Sequence, residues 1–198
     1  MNRRRMVYLG IAAALVVAAY FGWRLTARSS YESAAYTVLE SEGPFQTREY
    51  PDLMLATTGT PAGSQAEDGG FMRLFRYIDG ANQDAEKIAM TTPVFMEPAA
   101  DDAPGQMGFV LPKQVSEQRI PAPSGKGVQI ERRPGGRFAV VRFAGRMKTD
   151  SAAKAEEDLR AWMAQKGLVG SGAAERAGYD PPWTPGPLRR NEVLIRLQ

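Results

Sequence analysis

The chain has 198 residues, 43% of them hydrophobic, which is enough for one domain with its own core plus a short extra segment. It contains neither cysteine nor histidine, which excludes disulfides, thiolate nucleophiles, zinc–sulfur sites and catalytic triads built on histidine. The net charge of +3 arises at the N-terminus: the first 30 residues hold five arginines and no acidic residue, and residues 31–198 hold 20 basic and 22 acidic residues. A nearly neutral folded part has no basic surplus of the kind that nucleic acid binding requires.

Residues 1–30 are typical of a membrane segment. Arginines at positions 3–5 precede 18 uncharged residues, 6–23, which is close to the shortest length that spans a bilayer as a helix. The arginines favour a cytoplasmic N-terminus and a folded domain outside the inner membrane, in a periplasm or its equivalent. We predict an uncleaved, single-pass anchor, followed by one folded domain over residues 31–198. A cleaved signal peptide is the alternative, although no good small-x-small cleavage site follows the apolar run.

The first part of the folded region predicts strands and one helix. Strands are expected over residues 36–40 and 45–57, the second of them interrupted at Pro51, and a glycine-rich loop over residues 59–70. Residues 71–78 predict a helix, because apolar side chains recur with i, i+3, i+4, i+7 spacing, at Phe71, Leu74, Phe75 and Ile78.

The stretch KIAMTTPVFMEP, residues 87–98, predicts a strand with two partly apolar faces. One face holds Ile88, Met90, Thr92, Val94 and Met96, and the other holds Ala89, Thr91, Pro93 and Phe95. Pro93 cannot donate to a strand ladder, so we expect this strand to lie at a sheet edge or to carry a bulge.

The second part of the folded region repeats this order of elements. Strands are expected over residues 107–111, 128–132, 137–143, 173–179 and 192–197, a loop over 115–126, and a helix over 151–166 with Asp150 as its N-cap. Each half reads strand, turn, longer strand, helix, then strands, which indicates a duplication. We therefore predict an α+β fold: a distorted antiparallel β-barrel from two similar β-α-β repeats, each with one helix packed outside, plus the N-terminal transmembrane helix.

Two separated motifs resemble the signature of the SOUL haem-binding protein family. The first is residues 87–98, and the second is Tyr179-Asp180-Pro181-Pro182-Trp183-Thr184 followed by Arg189-Arg190-Asn191-Glu192-Val193. They occur in the expected order, about 90 residues apart. The resemblance covers roughly residues 34–197 and implies the same barrel architecture, with haem or a related tetrapyrrole as the ligand.

The resemblance also implies a binding cleft. In the family a shallow apolar cleft lies beside the first helix, with cationic side chains near the propionates. On the first helix of this chain, the residues that correspond to the family's cleft positions are Phe71, Phe75 and Arg76. The two rings would supply apolar stacking area, and the guanidinium would meet a propionate through a charge-assisted hydrogen bond. The alternative places both phenylalanines in the core and the arginine on the solvated surface.

Three more residues of the two motifs are candidates for ligand contact. They are Met90 in the first motif, and Tyr179 and Trp183 in the second. For Trp183 the structural alternative is packing as a lid on the barrel.

The chain departs from the family pattern in the residues that could ligate haem iron axially. Some members use a histidine, and this sequence has none. An iron ligand would have to be a lysine, Met72, Met90, Tyr77 or Tyr179; otherwise apolar contact and propionate pairing hold the macrocycle. We favour the second arrangement, which predicts weak binding that tolerates different porphyrins. We predict no metal site of protein ligands alone.

The leading hypothesis is a membrane-anchored carrier or buffer of haem or a related tetrapyrrole in the cell envelope, without catalytic residues and without a nucleic acid partner. One alternative is an enzyme acting on a small amphipathic molecule in the same cleft, which a carboxylate of raised pKa inside that cleft would favour. The other is a protein-interaction scaffold, which a filled cleft and an exposed apolar patch elsewhere would favour.

Overall fold

The structure is a computed structural model that describes residues 8, 11–13, 16, 31–60, 69–98, 105–125, 127–181 and 183–198. From residue 31 onward the described strands are β1 (Glu32–Ser33), β2 (Thr37–Glu42), β3 (Phe45–Tyr50), β4 (Leu53–Thr60), β5 (Thr91–Thr92), β6 (Val94–Glu97), β7 (Gly105–Val110), β8 (Gln129–Arg133), β9 (Gly136–Ala144), β10 (Gly170–Gly178) and β11 (Arg190–Leu197). The helices over the same part are α1 (Gly70–Ile78), α2 (Lys113–Glu117), α3 (Thr149–Gln165) and a single 3-10 turn, Gly186–Leu188.

Nine of the strands form one antiparallel sheet in the order β2-β3-β9-β11-β10-β6-β7-β4-β8. The two-residue strands β1 and β5 form a separate parallel pair. The predicted α+β class with a mostly antiparallel sheet is confirmed. The predicted barrel is not closed by hydrogen bonds in the part of the chain that the structure describes, because β2 and β8 end the sheet without pairing to each other.

Apart from the terminal strand β2, the strand order is symmetric about the β10–β6 pair. The first half contributes β3, β4, α1, β6 and β7, and the second contributes β8, β9, α3, β10 and β11 in the same succession. The leading strand of each half pairs in the other half, since β3 lies beside β9 and β8 lies beside β4. The two similar halves are therefore joined into one sheet rather than set side by side as separate units.

Apolar side chains pack on both faces of this sheet. On the inner face, seven strands share one core cluster through Tyr50, Leu55, Phe95, Val110, Phe138, Ala177 and Leu194. On the outer face, α1 packs against β4 and β7 through the fully buried Leu74, and α3 packs against β9 and β11 through the fully buried Leu159. Each helix thus covers the outside of one half.

Residues 87–98 are divided by Pro93, which follows a cis peptide bond and separates β5 from β6. The expectation of an edge strand is wrong, because β6 pairs with β10 on one side and with β7 on the other. Pro93 itself lies between the two strands, so its missing donor interrupts no ladder. The two apolar faces are confirmed: Phe95 joins the inner cluster, and Val94 and Met96 pack against the α1 cluster.

Two local predictions differ from the structure. The predicted loop over residues 115–126 begins inside the short helix α2. The N-cap of α3 is Lys148 rather than Asp150, because the Ser151 hydroxyl accepts a hydrogen bond from the Lys148 N–H at 3.0 Å, and the helix therefore begins two residues earlier.

The predicted membrane segment, residues 1–30, lies outside the described residues except at positions 8, 11–13 and 16. Within the described part of the chain, no helix combines the length and apolar character needed to cross a bilayer.

Candidate functional site

The buried face of helix α1 differs from the face that the sequence pattern predicts. Leu74, Tyr77 and Ile78 are buried, whereas Phe75 is 40% exposed. The Tyr77 hydroxyl donates a hydrogen bond to the Pro121 carbonyl at 2.8 Å, and burial raises the pKa of Tyr77 to about 12. Tyr77 therefore completes the packed face, because its ring fills the core while its polar tip finds an acceptor. The alternative that places Phe75 in the core is therefore wrong, whereas Phe71 is half-buried against the core.

Beside this packed face, α1 presents a partly exposed apolar surface. The rings of Phe71 and Phe75 are stacked, with centroids 6.2 Å apart and planes 12° apart. Met72 is 44% exposed, and the exposed Arg76 follows one turn after it. Phe71 is held in place by an edge contact with Phe109 at 5.2 Å. We call Phe71, Met72, Phe75 and Arg76 the α1 patch.

A small cavity of about 180 Å³ borders the α1 patch on its cationic side. Arg73, Arg76 and Tyr77 line it from the helix, and residues 123–125, 127 and 128 line it from the facing loop. Arg73 is fixed there, because its Nε donates to the Thr58 hydroxyl at 3.0 Å and its Nη2 to the Gly59 carbonyl at 2.7 Å. The described lining contains no carboxylate. The cavity can admit the edge of a ligand but is too small to enclose a large one.

Arg76 is the cationic side chain of the α1 patch that remains available to a ligand. Among the described residues it takes part in no hydrogen bond or ion pair, in contrast to the neighbouring Arg73. An exposed guanidinium beside apolar area can bind a carboxylate of an amphipathic ligand while the rings bind its apolar part.

The other three predicted contact residues are distributed over the molecule. Met90 is half-buried and packs against the same core cluster as Phe71, so it supports α1 from below. Tyr179 is buried in the inner cluster, on the other face of the sheet. Trp183 is 64% exposed in the segment between β10 and the 3-10 turn, so it is not a packed lid. Phe71, Phe75 and Arg76 thus lie together on α1, Met90 packs against the cluster that includes the buried residues of α1, and Tyr179 lies on the other face of the sheet.

Tyr179 belongs to a buried charge cluster centred on Glu192. Arg48 binds the Glu192 carboxylate with two hydrogen bonds, of 2.8 and 2.9 Å, and both side chains are fully buried. Arg190 donates to the same carboxylate at 2.6 Å, and the Tyr179 hydroxyl donates to it at 2.8 Å. Two faces of this cluster are closed by rings: the Arg48 Cζ lies 4.2 Å from the Tyr36 ring centroid and the Arg190 Cζ lies 4.0 Å from that of Tyr179.

The partners of Glu192 stabilise the charged form of its carboxylate. Burial alone would raise the pKa of Glu192, but the hydrogen bonds and charge of Arg48, together with the charge of Arg190, outweigh it and hold that pKa below its ordinary value. Burial raises the pKa of Tyr179, and the Glu192 charge raises it further. Because the carboxylate already accepts hydrogen bonds from three side chains and Tyr179 stays protonated, this cluster joins β3 to β11 rather than forming a ligand site.

The sequence interpretation missed the pairing of Arg48 with Glu192. Arg48 and Glu192 are 144 residues apart, and each looks like an ordinary strand charge. One signal was present: in β11 the alternation puts Glu192 on the same face as the buried Leu194, which marks a charge on an apolar face.

Comparisons with known proteins agree with this fold. The family model described as SOUL heme-binding protein matches residues 31–196. Heme-binding protein 1 of Xenopus laevis is 30% identical over 156 residues, which cover 75% of this chain and 81% of that protein. Heme-binding protein 1 of Mus musculus is 27% identical over 185 residues, which cover 87% of this chain and 90% of that protein.

Solved structures with the same fold have very different sequences. The C-terminal domain of EcmrR aligns with a TM-score of 0.54 at 13% identity, covering 82% of this chain and 98% of that domain. A hydrolase from Listeria innocua aligns with a TM-score of 0.55 at 9% identity, covering 81% and 94%. At this identity the likeness concerns the fold alone. The family match, in contrast, spans nearly all of the folded region, and this chain belongs to the SOUL heme-binding protein family.

Proposed function

We propose that this chain binds haem or a related tetrapyrrole at the α1 patch, without a histidine ligand, as a carrier or buffer in the cell envelope. The observation that carries the proposal is the exposed Phe75 ring stacked beside the half-buried Phe71 ring, next to Arg76, whose guanidinium no described residue pairs. Membership of the SOUL family and the name of the related Heme-binding protein 1 support the choice of ligand.

The chemistry of the α1 patch fits a tetrapyrrole. Two nearly parallel rings offer a flat apolar surface for a flat macrocycle, and Arg76 offers a cation for a propionate. The adjoining cavity of about 180 Å³ takes only an edge, so most of the ring would rest on the surface. Such open contact gives weak binding that discriminates little between porphyrins.

The side chains near the α1 patch offer little axial ligation. A bound haem would supply iron, for which the chain has no imidazole. The hydroxyls of Tyr77 and Tyr179 are buried and already donate hydrogen bonds, and Met90 is half-buried beneath the helix. Met72, at 44% exposed, is the candidate that a surface ligand reaches. We therefore propose that apolar contact and propionate pairing hold the ring.

We also propose that residues 1–30 anchor the folded domain to the inner membrane, with that domain in the periplasm. The support is the uncharged run 6–23 after the arginines at positions 3–5. Alkaline extraction of membranes from cells that express the full chain tests this: an anchored protein stays in the pellet, and a protein released into the supernatant contradicts the anchor.

Replacing Arg76 with glutamine is expected to weaken the binding of metal-free protoporphyrin about fivefold, that is by about 1 kcal/mol, because one exposed charge-assisted contact is lost. The protoporphyrin dimethyl ester, which has no free carboxylate, should bind Arg76→Gln and the unchanged protein equally. Fluorescence titration measures both affinities. Arg137→Gln, at an exposed arginine of β9, is the control. An equal loss for acid and ester, or no loss for the acid, contradicts the role of Arg76.

A further inference from the structure

A second and larger cavity opens on the inner face of the sheet. It has a volume of about 460 Å³ and is lined by side chains of β4, β6, β7, β8, β10 and β11. It shares no described lining residue with the small cavity beside α1. Leu55 and Phe95, which belong to the inner core cluster, form part of its apolar lining. The volume is in the range of sites for small organic molecules.

The depth of this inner-face pocket holds buried polar groups without partners. Arg133 is only 8% exposed, and its guanidinium Cζ lies 4.5 Å from the Phe95 ring centroid and 4.4 Å from that of Phe138. Its Nε donates to Glu175 at 2.8 Å, but its Nη1 has no hydrogen-bond acceptor among the described residues. The hydroxyl of Thr57, a residue 1% exposed, has no partner there either. Buried donors of this kind favour a ligand that brings an acceptor oxygen.

Three glutamates are among the other described lining residues. Glu131 accepts a hydrogen bond from Gln106 at 2.9 Å, and Glu175 is paired with Arg133. Glu97 is exposed and has no hydrogen bond or ion pair among the described residues; partial desolvation and the charges of Glu175 and Glu131 raise its pKa, and the charge of Arg133 opposes this shift. These groups favour a cation at Glu97 and disfavour a purely anionic ligand.

The two other arginines that line the pocket, Arg132 and Arg196, already pair with groups other than Glu97. Arg196 donates hydrogen bonds to the carbonyls of Gly135 at 2.7 Å and Pro134 at 2.5 Å, so both of its Nη atoms already bind backbone acceptors. Arg132 is exposed and pairs with Asp52. Neither guanidinium is held by Glu97.

We propose that the inner-face pocket binds small amphipathic molecules that carry both a protonated amine and a carbonyl or carboxylate oxygen. The amine pairs with Glu97, the oxygen accepts from Thr57 and from Nη1 of Arg133, and the apolar part rests on Leu55 and Phe95. This site is separate from the α1 patch and does not depend on tetrapyrrole binding.

Three matched probes test the proposal on the full-length protein by isothermal titration calorimetry. L-phenylalanine carries the amine, the carboxylate and the ring; phenethylamine lacks the carboxylate; 3-phenylpropanoate lacks the amine. We expect L-phenylalanine to bind at least about fivefold more tightly than either of the others, with 3-phenylpropanoate the weakest. The proposal is overturned if 3-phenylpropanoate binds as tightly as L-phenylalanine, or if no probe binds below about 10 mM.

Two variants then assign the contacts. Glu97→Gln should weaken L-phenylalanine and phenethylamine about fivefold and leave 3-phenylpropanoate unchanged or stronger. Thr57→Val should weaken the two carboxylate probes about threefold without lowering the melting temperature, because the hydroxyl that it removes is buried and unpaired. Glu49→Gln, an exposed strand glutamate outside the pocket, is the control. Equal affinities of L-phenylalanine for the unchanged protein, Glu97→Gln and Thr57→Val would reject the assignment.

Discussion

Replacing Glu192 with glutamine is expected to lower the free energy of unfolding by about 3–5 kcal/mol. The fully buried Arg48 is bound by both oxygens of the Glu192 carboxylate, and Arg190 shares one of them. Glutamine keeps the size of the side chain but removes the negative charge, so these guanidiniums remain in the interior without their counter-charge. Removing one partner of a buried pair is much more costly than removing both.

Urea denaturation followed by tryptophan fluorescence measures this loss. The matched control is Glu156→Gln, which breaks the exposed Glu156–Arg160 pair of α3 and should change the free energy of unfolding by less than about 0.5 kcal/mol. A loss below about 1 kcal/mol for Glu192→Gln would contradict the central structural role of the Glu192 cluster.

The same residue gives a pH dependence with a defined sign. The pKa of Glu192 is lower in the folded state than its ordinary value of 4.5. Its stabilising contribution is therefore complete above that ordinary value and is lost as the pH falls through the folded-state pKa. Glu192→Gln lacks this contribution, so its stability should fall less steeply than that of the unchanged protein below pH 4.5.

Replacing Phe75 with aspartate is expected to weaken tetrapyrrole binding at least thirtyfold, that is by about 2 kcal/mol. The change removes one of the two stacked rings and places a carboxylate where an apolar macrocycle with anionic propionates would rest. Because Phe75 is 40% exposed, the free energy of unfolding should change by less than about 1 kcal/mol.

Fluorescence titration with metal-free protoporphyrin measures this affinity, and a melting curve measures the stability. Val169→Asp puts the same charge at another exposed apolar side chain, between α3 and β10, and should bind like the unchanged protein. If Phe75→Asp also binds like the unchanged protein, the ligand does not rest on the α1 patch.

Local periodicity predicted the two longer helices, α1 and α3, and most strands of this fold, because one buried face is enough to define an element. It was less able to choose the buried face of α1. Phe75 and Tyr77 are both aromatic, and the chain pattern contains no information about the Pro121 carbonyl that accepts from Tyr77. The acceptor comes from a loop 44 residues away, so the burial of Tyr77 is a tertiary effect.

The buried polar contacts could not be predicted from the sequence pattern for the same reason. Arg48 meets Glu192 only because β9 lies between β3 and β11 in the sheet. The inner-face pocket likewise combines Thr57, Glu97 and Arg133 from three strands that are distant along the chain. Family motifs identified the fold and pointed to α1, but strand adjacency determines which charges meet.

The most direct test of tetrapyrrole binding without an axial histidine is a parallel absorption titration of the full-length protein with haemin and with metal-free protoporphyrin. Both rings are expected to bind, with affinities within about tenfold of each other, because apolar contact and Arg76 act on either ring. A sharp six-coordinate haem spectrum together with no binding of the metal-free ring would contradict this expectation, since the iron would then carry the affinity.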